Sequence, residues 1–219
     1  DIDHAFAAAY NAADGDLLVY FGLDRYAQNG AAQDGFWFLR GQLNPSGSSF
    51  GAAHQVGDVL VQIDFENGGT NPQAGVYEWN GSGITLVSSG TTCAGIGSGH
   101  RCAISNTANS NTAWSFDPKT GADNVYLPGH FVEGGINLTD LGLDDGCFST
   151  FFAETRSSPS EDSTLSDYGS GSFPLCVAPD IETQVKNDQG EGDGMVTINA
   201  GESITDTVTV GGSKGDGKG

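Results

Sequence analysis

Short runs of apolar or alternating residues, each closed by glycine, asparagine or aspartate, dominate this 219-residue chain. No segment carries a sustained apolar stripe at helical spacing. Alternation with period two between turn residues is typical of β-strands, and many such strands with few helices indicate two packed sheets. We therefore predict an all-β protein, a jelly-roll-like β-sandwich with C-terminal extension strands. The clearest strands are Leu17–Leu23, Gly35–Arg40, Asp58–Phe65, Gly75–Trp79, Phe131–Leu138 and Cys147–Glu154.

Two segments have patterns that do not follow this rule. Residues 4–13 fit a helix through the i, i+4 spacing of Phe6 and Tyr10, and they also fit a strand through the alternation of Phe6, Ala8 and Tyr10. Thr139–Leu143 resembles a single helical turn.

The segment from Pro179 to Gly219 has strand patterns but no core of its own. A strand carries unpaired N–H and C=O groups along both edges, so a segment too short to close a sheet must pair with another one. We predict two domains, residues 1–178 and residues 179–219. In the second domain we expect the apolar residues Ile204, Val208 and Val210 to form a strand-pairing interface with a neighbouring copy.

The charge balance restricts the partners of the protein. The chain has 28 acidic and 8 basic residues, a formal net charge of −20. We therefore expect no nucleic-acid partner, because each phosphate contact needs a cation. Such acidity fits solubility on a cell exterior, adaptation to salt, or binding of divalent cations. No apolar run is long enough to span a membrane, and a start at Asp1 without a leader fits a secreted, processed protein at the cell surface.

Four cysteines form two local pairs in the sequence, Cys93 with Cys102 and Cys147 with Cys176. The spacing matches no zinc motif, so disulfides are favoured over a metal. Four cysteines allow three pairings, and proximity favours Cys93–Cys102.

Whole phrases of the sequence resemble a known domain. The phrases are Asp14–Tyr26, Asn29-Gly30, Gly35–Phe38, Phe131–Thr139, Cys147–Ser149 and Ala153–Ser158. Together they resemble, over residues 1–178, a domain near the start of large secreted repeat proteins of Gram-positive, mainly actinobacterial, cells. In that family Ig-like or prealbumin-like surface repeats follow, and the sequence from Pro179 onward resembles the opening of such a repeat. The resemblance implies no catalytic activity. Only about three strands of the repeat are present, which favours their use between subunits.

Acidic residues near predicted turns are candidate metal ligands. Asp14, Asp16 and Asp24 flank one strand, while Asp64 and Glu66 end another. Calcium takes six to eight oxygen ligands, which such loops can supply, so we expect at least one Ca²⁺. Aspartate also favours turns through its own hydrogen bonds, and the sequence has no loop of the EF-hand type.

Other constellations in the sequence carry less information. A glycosidase needs two opposed carboxylates, and nothing selects a pair among Asp64, Glu66, Glu78, Glu133 and Glu154. The histidines at 4, 54, 100 and 130 are scattered, and no nucleophile elbow is present, so we predict no enzyme. Glu154 and Arg156 are expected to form a structural ion pair.

Three tryptophans and two acceptor patterns for glycans are further candidate site residues. Trp37 and Trp79 lie in apolar runs and are predicted to be core residues, whereas Trp114 lies in a polar segment and is the expected exposed platform for a sugar. Asn80 and Asn137 begin acceptor patterns for N-linked glycans.

The function predicted from these patterns is that of a structural subunit of an extracellular filament or surface layer. Copies of the chain would pair head to tail through the C-terminal strands. The alternative is an adhesin, a cell-surface module that binds glycans and whose loops are shaped by calcium.

Overall fold

The computed structural model describes residues 2–26, 33–44, 50–51, 53–66, 71–91, 101–158, 163–176, 180–187, 190–192, 201 and 203–211, some strand residues by their backbone only. It divides into two compact units, Asp1–Cys176 and Val177–Gly219. The described residues contain no helix. Their strands, in chain order, are β1 (Ile2–Asn11), β2 (Leu17–Arg25), β3 (Gln33–Leu39), β4 (Val59–Glu66), β5 (Asn71–Trp79), β6 (Ile84–Thr91), β7 (Arg101–Ser105), β8 (Ser110–Asn111), β9 (Val125–Tyr126), β10 (Phe131–Asn137), β11 (Cys147–Arg156), β12 (Leu165–Cys176), β13 (Asp180–Asn187), β14 (Gly190–Gly192) and β15 (Ile204–Gly211).

The first unit is a β-sandwich, which confirms the predicted fold class. One sheet has four strands in the order β1-β2-β10-β7, and the other has six in the order β12-β11-β3-β4-β5-β6. All the pairings are antiparallel. A small two-stranded sheet, β8-β9, completes the unit.

Aromatic side chains from both sheets fill the space between them. The ring centroid of Phe21, on β2, lies 4.6 Å from the ring centroid of Phe36 and 6.0 Å from that of Phe38, both on β3. All three are fully buried. Burying side chains of this size dominates the stabilisation of a sandwich core.

The opposite face of the six-stranded sheet is also apolar near β3. Successive side chains of a strand point to opposite faces, so Trp37 and Leu39 point away from Phe36 and Phe38. They form a second buried cluster with Leu60 and Phe152. Leu43 and Phe50, from the connection between β3 and β4, pack against this cluster. This second layer positions the site described below.

Strand pairing settles the first of the two unclear segments of the sequence, and local hydrogen bonds settle the second. Ile2–Asn11 is a strand, because it pairs with β2 along its length. Residues 139–143 form a single hydrogen-bonded turn, in which the N–H of Leu141 donates to the carbonyl of Asn137 at 3.2 Å, the spacing of one helical turn. The N–H of Leu143 donates to the carbonyl of Leu138 at 2.9 Å, and Gly142 closes the turn at φ 68°, a conformation that favours glycine.

The second unit contains a three-stranded sheet in the order β14-β13-β15. β15 pairs with β13 from Ile204 opposite Asn187 to Gly211 opposite Asp180. The C-terminal strands therefore pair with each other inside their own unit, and pairing with a neighbouring copy stays a prediction. No described strand pairs with its other edge. Of the predicted interface residues Ile204, Val208 and Val210, the structure describes the backbone only.

The described cysteines are not free thiols. Cys102 and Cys147 are disulfide-bonded. Cys147 lies directly opposite Cys176 in the β11–β12 ladder, a placement that suits a disulfide. Cys93 lies outside the described residues, so the two predicted pairings stay predictions.

Among the described residues, Asp34 is a carboxylate buried inside the sandwich without a hydrogen bond. Asp34 alternates with Phe36 and Phe38 and is fully buried. Neither of its carboxylate oxygens has a hydrogen-bond partner in the described part of the chain, and the same holds for the hydroxyl of Thr155, its neighbour across the ladder. Burial raises the pKa of Asp34 from 3.8 to about 6, although the charge of Arg25 acts in the opposite direction.

We predict that Asp34 makes the protein less stable at neutral pH than at pH 4. Because its pKa is higher in the folded than in the unfolded chain, the folded state binds the proton more tightly. This stabilisation is complete below about pH 4 and is lost as the pH rises through 6, an effect of about 3 kcal/mol. Asp34→Asn should therefore gain stability relative to the wild type between pH 4 and 7, measured by urea unfolding.

The exposed Asp117→Asn is the matched control and should follow the wild-type curve. Parallel pH profiles for wild type and Asp34→Asn would contradict the prediction.

Candidate functional site

A cleft lies on the outer face of the six-stranded sheet, where the second apolar layer is open. It consists of two cavities of about 130 and 120 Å³. Both cavities are lined by Trp37, His54, Glu154 and Arg156. These residues come from β3, from the β3–β4 connection and from β11, so the cleft forms only when the sheet is assembled.

The imidazole of His54 is inserted between two indole rings. Its centroid lies 4.3 Å from that of Trp37 and 4.8 Å from that of Trp79, with interplanar angles near 32° and 31°. His54 is 38 % exposed, so the edge of this stack faces the solvent. The three rings make an aromatic wall, of which Trp37 and His54 line both cavities and Trp79 lines the second.

Asp58 anchors the connection that carries His54. Its buried carboxylate accepts hydrogen bonds from the backbone N–H of Arg40 at 2.8 Å and of Gln55 at 3.0 Å. The Nδ1 atom of His54 lies 3.1 Å from the second oxygen. Three contacts to one buried carboxylate hold the imidazole at its place between the indoles.

A two-point ion pair lies at the floor of the cleft. Arg156 donates to both carboxylate oxygens of Glu154, at 2.8 and 2.9 Å, and Glu154 also accepts from the indole N–H of Trp37 at 3.3 Å. Glu154 lies opposite Gly35 in the ladder, and a Cβ at Gly35 would lie 2.9 Å from the Glu154 side chain. Glycine at position 35 therefore leaves room for the carboxylate to cross the strand.

The chemistry of the cleft suits the binding of a neutral polar ligand. Aromatic faces, a guanidinium and the amides of Gln33 and Gln62 can contact the ring faces and hydroxyls of a sugar.

A glycosidase acid must donate a proton to the leaving oxygen. Glu154 and Asp58 instead act as acceptors of the hydrogen bonds described above. The absence of enzymatic activity stays a prediction.

The predicted metal ligands do not meet in one place. Asp14 and Asp16 precede β2, whereas Asp24 lies near its far end, about 26 Å from Asp16 along an extended strand. Asp64 lies on β4 in the other sheet, and the side chain of Glu66 is outside the described part. Calcium binding itself stays a prediction.

Local hydrogen bonds explain the pair before β2. The Asp14 carboxylate accepts from the backbone N–H of Asp16 at 3.2 Å, as aspartate does in turns. The Asp16 carboxylate accepts from the side-chain amide of Asn137 at 2.7 Å.

Asp24 belongs to a group with Asp3 and His4 whose candidate ligand atoms all lie within 4.8 Å of one another. The Asp24 carboxylate already accepts hydrogen bonds from the backbone N–H of His4 at 2.6 Å, the indole of Trp114 at 2.7 Å and the hydroxyl of Tyr126 at 2.7 Å. Burial, together with the hydrogen bond to Asp24, raises the pKa of Tyr126. These bonds account for the geometry without an ion.

Trp114 is a packed residue and not the exposed platform expected from the sequence. Its ring lies 5.8 Å from that of Phe6 and 6.4 Å from that of Phe131, and it is only partly exposed. The polar neighbours of Trp114 face the solvent, whereas its indole N–H reaches the buried Asp24, so the polarity of the segment does not show where the ring lies.

The two predicted glycan acceptors differ in access. Asn137 uses its side-chain nitrogen to donate to Asp16 at 2.7 Å and to Asp140 at 3.1 Å, which engages the atom that a glycan would modify. Asn80 is exposed, and its side-chain nitrogen donates to Thr85 at 2.8 Å. Glycosylation stays a prediction at both sites.

His54 and Asp58 are site residues that the sequence reasoning missed, as are Gln33 and Gln62. The available signal was a histidine four residues before an aspartate that opens a strand, which is too common to identify a site. Of the other histidines, His4 lies beside Asp24, His130 is buried and His100 lies outside the described residues.

Comparisons with protein families, with characterised proteins and with solved structures find no match to this chain. The resemblance to secreted surface proteins therefore stays a prediction. The described residues include no helix with the length and apolarity of a membrane span.

We predict that Asp24→Asn lowers the free energy of unfolding by about 3 kcal/mol, because an amide cannot accept all the hydrogen bonds that the buried carboxylate accepts. The loss should be equal in EDTA and in Ca²⁺, as measured by chemical denaturation. Asp14→Asn, at an exposed predicted ligand, is the control and should change stability by less than about 0.5 kcal/mol. A loss that occurs only with Ca²⁺ present would instead support an ion at Asp24.

Proposed function

We propose that the first unit is an extracellular glycan-binding module and that the cleft on the six-stranded sheet is its binding site. The observation that carries the proposal is the aromatic wall of Trp37, His54 and Trp79 beside the Glu154–Arg156 pair. Aromatic rings contact the apolar faces of sugar rings, while paired charges and amides bond to the hydroxyls around their rims.

The charge of the protein supports a neutral polysaccharide as the ligand. The chain has a formal net charge of −20, which repels acidic glycans at moderate ionic strength. The one arginine that lines both cavities is already paired with Glu154. The cleft therefore offers little free positive charge to an anionic sugar.

We predict that Trp79→Ala weakens glycan binding about tenfold, because it removes one wall of the stack, and that Trp79→Phe restores most of the affinity. Binding is measured by screening neutral polysaccharides and then by calorimetry on the one that binds. Tryptophan fluorescence gives a second readout, since two of the three tryptophans line the cleft.

Trp114→Ala is the matched control. Its indole packs against Phe6 and Phe131 of the four-stranded sheet, so stability should fall while affinity is unchanged. Equal affinities for wild type and Trp79→Ala would show that the cleft is not the binding site.

A second candidate function, the filament subunit, is favoured by the open edge of β15. β15 is eight residues long, pairs with β13 on one side, and has no described partner on the other. Long unpaired edges add strands from other chains unless charge or proline blocks them. In this proposal β15 of one copy extends a sheet of the next copy, and the contacts propagate because they do not close.

We predict that Thr207→Lys with Thr209→Lys abolishes self-association, because charges on an edge strand oppose strand addition. Both side chains are exposed. Light scattering after size exclusion, at 0.5 M salt to screen the acidic surface, is the measurement. Thr120→Lys, in an exposed turn of the first unit, is the control and should assemble like the wild type. Assembly of the double variant would exclude this edge.

A further inference from the structure

The cleft is too long for one sugar ring. The two cavities follow one another along β3: the second is lined by Gln33 and Gly35 and the first by Leu39, with Trp37 in both. In an extended strand the distance from Gln33 to Leu39 is about 20 Å.

The cleft is also divided into two parts of nearly equal size. The cavities measure about 130 and 120 Å³, and both adjoin the aromatic wall and the Glu154–Arg156 pair. A single large ligand group would require one larger cavity. Two equal cavities with a common wall instead suit a repeating ligand.

The two cavities differ in chemistry. The first has an apolar lining from Leu39, Leu43, Phe50 and Phe152. The second adds the amides of Gln33 and Gln62 to Trp79 and Ile84. One ring of a ligand would be held by apolar contact and the next by hydrogen bonds.

From these observations we infer that the cleft binds an internal segment of a neutral polysaccharide, with one sugar residue in each cavity and the linkage passing the Trp37–His54 wall. This inference rests on the proposed function and specifies its ligand. A protein that recognises the interior of a polymer can attach at many points along it, whereas one that recognises a terminal sugar attaches only at ends.

Chain length is the direct test. Fragments of one to six residues, prepared from the neutral polysaccharide that binds in the screen, are titrated calorimetrically. We expect affinity to rise at least tenfold from one residue to two or three, because the second ring adds contacts without a second cost of association, and to change little beyond. Equal affinity for one residue and for longer fragments would overturn the inference while leaving the glycan-binding proposal intact. Failure of every polysaccharide in the screen would overturn both.

Two variants locate the subsites. Leu43→Ala alters the first cavity and Gln62→Ala the second, and each should reduce the affinity of a trimer about tenfold with less effect on the monomer. Leu86→Ala, at an exposed position outside the lining, is the control. Melting temperatures establish that each variant is folded, and Gln62→Glu repeats the test at nearly constant volume if Gln62→Ala is not. Variants that weaken monomer and trimer equally would contradict a two-residue site.

Discussion

The burial of β3 on both of its faces is the constraint on which the rest of the molecule depends. Every residue from Gln33 to Leu39 is buried. On the inner face, Phe36 and Phe38 meet Phe21 from the opposite sheet and build the core. On the outer face, Trp37 forms part of the aromatic wall of the cleft. One strand therefore serves both the stability of the sandwich and the shape of the site, so a change in its register would move both at once.

Buried carboxylates organise the loops of this acidic protein. Asp58 holds the connection that carries His54, and Asp24 holds Trp114 and Tyr126 above the four-stranded sheet. In both cases a single carboxylate accepts hydrogen bonds from several donors that would otherwise be buried without a partner. Asp34 is the exception, because no described donor reaches it. The acidity that suggested calcium in the sequence is thus used, at Asp58 and Asp24, for internal hydrogen bonding.

The strands that could be predicted from the sequence are those with a strong apolar pattern. The apolar residues of β2, β3 and β4 are enough to predict these three strands. The three strands in turn predict the sandwich. β12 could not be predicted, because its Gly169–Ser172 stretch has no apolar alternation and becomes a strand only by pairing with β11. Pairing in the ladders also determines that residues 2–11 form a strand and that β15 lies beside β13. The pairing of β15 with β13 could not be predicted, because a strand pattern says nothing about which strand lies beside it.

The site was harder to predict than the fold, because its parts are far apart in the chain. Trp37 and Glu154 are brought together by the β3–β11 ladder. The apolar run around Trp37 predicts a core residue whether its indole points between the two sheets or to the outer face. The remaining walls, Leu43, Phe50 and His54, come from a connection that is not part of the ladder.

The division of the cleft between the sheet and the β3–β4 connection affects which ligands it can select. The sheet fixes the position of the ion pair and the indole, while substitutions in the connection can alter the shape of the first cavity without disturbing the sandwich core. Under the proposed glycan-binding function, chains that share β3 and β11 but differ in the β3–β4 connection would then select different sugars on the same sheet.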